Sequence, residues 1–207
     1  MYRSGCAMPR HPAPSPVRRL GTAAIAVVLL LPLPAAPSPG LATYFIDGSQ
    51  TSPRVEYHSF GFPSQARFSR TRGTITVDRG TRTGTVDVEI EATSGSTGYT
   101  LLDSFMGAAE VFDTAQFPLI TYSSPSLGFS GDTPAWVDGS LTIKGITRPV
   151  RLDIEQFACA QHPGLDKEVC TATAVAKIKR SDFNAGKYAP LVSDEVTLVI
   201  PIAAVRR

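Results

Sequence analysis

Beyond residue 43, apolar and polar side chains alternate at period two, interrupted by clusters of Gly, Pro, Asp and Ser. In residues 85–92, Val86, Val88 and Ile90 alternate with Asp87, Glu89 and Glu91, which gives a strand with one apolar and one acidic face. Similar runs at 44–46, 55–57, 73–77, 119–123, 136–143, 150–157, 171–179 and 196–205 raise the total to eight or nine strands. No helical patterns lie between them to carry parallel crossovers, so the strands form an antiparallel meander that closes as a barrel or packs as a sandwich. The period changes once. Between 99 and 117, Leu101, Leu102, Phe105, Met106, Ala109 and Phe112 fall at spacings of three and four, predicting a short amphipathic helix that ends near Asp113 and covers the open end of a barrel.

The run 171–179 bears on function as well as on fold. Ala172, Ala174, Ala176 and Ile178 share one face, and three alanines in register leave volume unfilled. A barrel of about eight strands is just wide enough to be packed by side chains or to hold one small ligand, so small inward residues favour a cavity. Filling by large neighbours such as Phe183 or Trp136 is the equal alternative from this strand alone. The parity of Trp136 with Asp138 and Ser140 places it on the outside.

The beginning of the chain differs in kind. Residues 1–42 carry four arginines and no acid, then an apolar run from Leu20 to Leu33 that is short for a bilayer span, which needs about 20 apolar residues. This is the layout of a cleaved export signal, with Gly40 and Ala42 as the small residues before the cut and Thr43 as the mature start. The expectation is a single mature domain, 43–207, in the periplasm or outside the cell. Ordinary export is favoured over the twin-arginine route because the flanks of Arg18-Arg19 fit the latter poorly. Without the signal, the formal charge of +2 becomes about −2, since all 18 acidic residues remain, and nothing points to nucleic-acid binding. Cys6 leaves with the signal, and Cys159 and Cys170 bracket a short polar loop, so they are expected to form a disulfide. A metal site using His162 lacks a fourth ligand and the paired spacing such sites show, and no metal is expected.

Catalytic patterns are scarce. The mature chain has only His58 and His162, and no Gly-x-Ser-x-Gly or phosphate-binding loop. His58, beside Ser59, shares an outward face with Glu56 and Arg54, where a solvated role outweighs a catalytic dyad. Lys144 and Arg148 flank a turn, and Arg180 lies at the end of a strand near Asp182. They could bind a diphosphate or quinone head group at a barrel mouth, with salt-bridged turns as the favoured alternative.

Four segments, in order, carry a family likeness. The first in weight is Asp138-Gly139-Ser140-Leu141-Thr142-Ile143-Lys144-Gly145-Ile146-Thr147-Arg148-Pro149-Val150; the others are Phe112-Asp113-Thr114-Ala115-Gln116-Phe117-Pro118, Ile178-Lys179-Arg180-Ser181-Asp182-Phe183 and Val192-Ser193-Asp194-Glu195-Val196. Together they resemble the YceI-like family over residues 44–204, and the stretch 162–170 resembles an insertion seen in exported members. The resemblance implies a single all-β, antiparallel, lipocalin-like barrel with one short helix covering part of it. It also implies an apolar channel that binds polyisoprenoid chains, with no established catalytic residue, so an isoprenoid or quinone-like lipid is the expected ligand and no cofactor is. Cavity candidates, by alternation and position, are Val86, Val88, Ile90, Phe105, Met106, Phe112, Leu141, Ile143, Ala174, Ala176 and Phe183. Gln50-Thr51 stands where the family usually shows His-Ser, Ser59 where a second His is common, and Asn184 where Gly is frequent, so the first hairpin and the ligand's head group are expected to diverge. An apolar-ligand carrier is the leading reading; a solid barrel acting by its surface and an enzyme acting on a held lipid are its rivals. Transient membrane contact and a homodimer stay open.

Overall fold

The computed structural model describes residues 40–207. The expected export signal, 1–42, lies outside them except for its last positions, and of those Leu41 and Ala42 already belong to the first strand, with Ala42 buried opposite Val77. In chain order the strands are β1 (Leu41–Ile46), β2 (Arg54–Ser59), β3 (Phe62–Phe68), β4 (Thr71–Asp78), β5 (Thr83–Glu91), β6 (Gly95–Ser96), β7 (Leu119–Ser130), β8 (Thr133–Ile143), β9 (Ile146–His162), β10 (Lys167–Lys179) and β11 (Glu195–Arg206). One α-helix, α1 (Thr100–Met106), lies between β6 and β7.

Strands β1, β4, β5, β7, β8, β9, β10 and β11 pair in that order, and β11 returns to β1, so eight antiparallel strands close a barrel. β2, β3 and β6 branch from it as a flap on the other half of β11. Most links are tight hairpins. Ile143 pairs with Ile146 across Lys144-Gly145, whose φ angles of +51° and +71° give the primed turn whose twist matches the flanking strands.

Period two sorts the side chains as expected. Val86, Val88 and Ile90 of β5 point into the barrel opposite Ile75, Gly73 and Thr71 of β4, while Glu89 and Glu91 pair outside with Arg72 and Arg70. Trp136 lies outside, with the Arg151 guanidinium 4.7 Å from its ring centroid. On the inner face of β8, Gly139 makes room for the Tyr122 ring. A Cβ at that position would sit 2.5 Å from Tyr122 Cζ and 2.7 Å from the Ser123 carbonyl oxygen. The Tyr122 hydroxyl lies 3.0 Å from the carbonyl oxygens of both Val137 and Val150 and shares its proton between them. Burial, and then the charge of Asp138, push its pKa well above the phenol range.

The helix departs from expectation. It ends at Met106 rather than near Asp113, and the chain from 107 to 117 continues as turns. Its apolar stripe faces outward, with Leu101 72% and Phe105 53% exposed; only Met106 is buried, its ε-methyl against Gly95. The end of the barrel is instead covered by Phe112, from the turns that follow, and Phe183, from the 3₁₀ turn at 180–183. Phe112 packs edge-on against Phe68 at 5.6 Å between centroids.

Cys159 and Cys170 face each other across β9 and β10 and are disulfide-bonded. The bridge spans a sequence separation of 11, for which the chain-entropy relation gives about 3 kcal/mol. Replacing both cysteines with alanine is expected to lower the unfolding free energy by about that amount in urea denaturation, and a loss below about 1 kcal/mol would mean that the hairpin already constrains the unfolded chain.

Candidate functional site

The inward side chains do not meet. They leave a cavity of about 180 Å³ along the barrel, and no polar atom is exposed to it. One water needs about 10–15 Å³ of such space, so the void is an order of magnitude too large to be a packing defect. The alternation of β9 and β11 supplies much of the wall: Val150, Leu152 and Ile154 from one, Val196, Leu198, Ile200 and Ile202 from the other. β10 contributes Ala172, Ala174 and Ile178, and the missing side-chain volume of the two alanines is open space.

Eight of the residues singled out from the sequence stand on this wall: Val86, Val88, Ile90, Phe112, Leu141, Ile143, Ala174 and Phe183. Three do not. Phe105 projects into solvent because the helix stripe faces away from the barrel, and Met106 packs under the flap against Gly95. Ala176 is buried on the inward face, but its cross-strand partner Leu198 and the next inward residue, Ile178, form the wall at its level. The wall also holds Tyr122, Phe157 and Phe68, which were not singled out; parity within β7 and β3 would have indicated Tyr122 and Phe68, whereas a bulge after Ile154 in β9 switches the parity and brings Phe157 inward.

The basic residues expected at a head group are occupied. Arg180 borders the cavity with its stem, but its guanidinium donates to the carbonyl oxygens of Ala185 (2.7 Å), Ser193 (2.8 Å), Val192 (2.9 Å) and Lys187 (3.4 Å). Desolvation lowers its pKa, with Asp194 opposing. Lys144 is buried, and its ammonium donates to the carbonyl oxygens of Ala109 (2.6 Å) and Asn184 (2.7 Å); Arg148 Nε donates to that of Asp182 (3.2 Å). These side chains tie the 107–117 and 180–194 segments over the barrel end, and neither Lys144 nor Arg148 reaches the cavity wall.

Thr51, which stands where the family shows a serine, has a structural task. It is 1% exposed, it receives the Ala203 N–H at 3.1 Å on Oγ1, and its hydroxyl lies 3.4 Å from the Ala203 carbonyl oxygen. Catalytic groupings are not assembled among the described residues. His58 is exposed and meets Ser193 only through main-chain groups, with its N–H donating to Ser193 Oγ at 3.0 Å. Cys159, Glu168 and Cys170 lie close together, but the two sulfurs are spent in the disulfide and cannot act as thiolate ligands. His162 accepts a hydrogen bond from Gly164 N within its own turn.

The YceI-like domain family model matches residues 44–204. Protein YceI of Escherichia coli O6:H1 is 32% identical over 136 residues, covering 65% of this chain and 70% of that one. Among solved structures, BcnA of Burkholderia cenocepacia superposes with a TM-score of 0.64 at 23% identity, over 76% of this chain and 98% of that one. A polyisoprenoid binding domain from Saccharophagus degradans gives 0.59 at 15% identity, over 79% and 98%. At these identities the two structures establish the shared fold.

Arg180→Met is expected to cost about 1–3 kcal/mol of stability, because it leaves part-buried carbonyl oxygens of Ala185, Val192 and Ser193 without the charged donor they share. Urea denaturation checks this; an unchanged midpoint would return Arg180 to the pool of ligand-binding candidates.

Proposed function

The chain belongs to the YceI-like family, and from that premise we propose that it is an exported carrier that holds one apolar, isoprenoid-like lipid in its barrel and performs no catalysis. The observation that supports this most is the unfilled cavity of about 180 Å³ with its wholly apolar surface. Such a surface gives a polar substrate nothing to bind, whereas each square ångström of hydrocarbon it buries is worth roughly 25 cal/mol. A rigid β-barrel is also preorganised, so little of that gain is spent on ordering the protein. Export is supported by the charged-then-apolar layout of residues 1–42 and by the disulfide, which suits an oxidising compartment.

A second reading, a barrel that acts by its surface, is favoured by one feature. Phe60 and Phe62 at the β2–β3 turn are 70% and 73% exposed, on the same flap that leads to the exposed stripe of α1. Solvent-facing aromatic clusters of this kind mark contact sites more often than chance.

The two readings diverge on one experiment. Native and then denaturing mass spectrometry of the protein purified from its exported compartment is expected to show a stoichiometric species of isoprenoid mass. Ala174→Phe, which fills the middle of the cavity, is expected to abolish that species while leaving the thermal midpoint unchanged or higher. A ligand-free protein that also refuses added prenyl lipids would overturn the carrier reading and leave the surface reading in place.

A further inference from the structure

At the disulfide end of the barrel the apolar cavity adjoins a second, smaller one of about 60 Å³. The two share Ile75, Val77, Pro134, Phe157, Ala172 and Ile202, so only these side chains stand between them. What changes is the lining, because the smaller chamber adds Tyr44, Arg79 and Asp132. Arg79 lies in the β4–β5 turn and reaches over the mouth to Glu168 on β10, with Nη2 2.9 Å from Oε1 and 3.3 Å from the Tyr44 hydroxyl. Tyr44 itself donates to Glu168 Oε2 at 2.7 Å, and Arg206 of β11 approaches the same oxygen at 3.5 Å.

This cluster differs from the one at the other end in what it leaves over. A guanidinium has five N–H donors, and among the described residues Arg79 forms hydrogen bonds through Nη2 alone, leaving Nε and Nη1. Two arginines share one carboxylate, so the group carries an unbalanced positive charge. The nearby Asp132 is already paired with Arg82 at 2.9 Å. Glu168 remains ionised: the Tyr44 hydrogen bond, then Arg79, lower its pKa against the opposing effect of burial. At the helix end, by contrast, Arg180 and Lys144 are committed to main-chain carbonyls.

We propose that the disulfide-end mouth is a head-group site, in which Arg79, with Arg206, receives the anionic oxygens of an amphiphile whose hydrocarbon tail fills the barrel. The head group is a phosphate or a carboxylate, both of which match the planar guanidinium fork. Glu168 aligns Arg79 and competes with the ligand for it. From Cys170 to Ile178, β10 rises roughly 26 Å at about 3.3 Å per residue, enough for a long tail to run inward from the mouth. The inference rests on the carrier reading, since a head group is recognised here only if a tail enters the channel.

Geranylgeranyl phosphate and geranylgeraniol, which share a tail and differ in the head, separate the two. By titration calorimetry the protein is expected to bind the phosphate more tightly by roughly ten- to a hundredfold, the range of charge-assisted hydrogen bonds. Arg79→Gln is expected to bring that ratio close to one, and Glu168→Gln to raise it above the wild-type value, a gain that a merely structural role for the cluster would not give. A wild-type ratio of one, or a ratio that Arg79→Gln leaves in place, would sink the head-group site; the carrier reading would survive if Ala174→Phe still blocked both probes. Failure of the wild type to bind either probe would overturn both.

Discussion

Strand β11 serves three neighbours, and the barrel exists only because it can. Along its whole length it pairs with β10, its last residues pair with β1 (Ile46 with Ala204, Tyr44 with Arg206), and its first pair with β2 (Leu198 with Val55). Between the two partners the ladder has a gap, and a gap in a barrel wall leaves buried backbone groups that must find partners. The 47–51 loop fills it with a main-chain bond from Asp47 N–H to the Ala203 carbonyl at 2.8 Å and with the Thr51 hydroxyl on the Ala203 N–H. A buried threonine thus stands in for a strand. The wall stays closed, and the flap β2–β3–β6 can leave the barrel without opening it.

Closure fixes the circumference, and side-chain size then decides what the interior becomes. Eight strands enclose a space that Leu and Phe from every strand would fill. Here the inward positions alternate in size instead. Phe183, Phe112 and Phe68 close the helix end, Tyr122 lies across Gly139 in the wall, and the β10 face opposite offers only Ala172 and Ala174 at mid-barrel. The Tyr122 hydroxyl, the most polar group among these, is turned into the β8–β9 wall, where Val137 and Val150 take its proton. The void is therefore dry in character: water entering it would give up its hydrogen bonds, whereas hydrocarbon would give up none.

Period two made the strands and their inward faces legible in the sequence, because a strand's side chains can only alternate. Spacings of three and four were legible too, yet they misled over residues 100–112. Leu101, Leu102 and Phe105 satisfy the pattern of a buried helix face, but a seven-residue helix held away from the barrel by the flap has nothing to bury it against. Amphipathicity reports that a face is apolar, not that a partner exists. The basic residues show the same limit from the other side. Lys144, Arg148 and Arg180 stand out in a sequence because they flank turns, and that placement is also what lets them satisfy turn carbonyls. Arg79 belongs to no motif; its position opposite Glu168 depends on β1 and β11 bringing β4 and β10 to one rim, a relation between residues 89 apart in the chain.

The two ends of the channel consequently differ in what it costs to open them. At the helix end, Arg180 and Lys144 are bonded to carbonyls of segments that pack Phe183 and Phe112 into the core, so any opening breaks these part-buried hydrogen bonds and exposes aromatic surface together. At the disulfide end the cover is the side chain of Arg79, more than half exposed, on a carboxylate. Water can take the place of Glu168 at the exposed guanidinium, and Glu168, itself only 16% exposed, keeps the Tyr44 hydroxyl and Arg206 as partners when Arg79 leaves. The disulfide and the tight β9–β10 pairing hold the rim itself in place. In the proposed carrier, a fixed rim with a movable polar cover would admit a molecule without unfolding the wall. The same side chain that moves aside to admit a tail would then be positioned to close on the head that follows it.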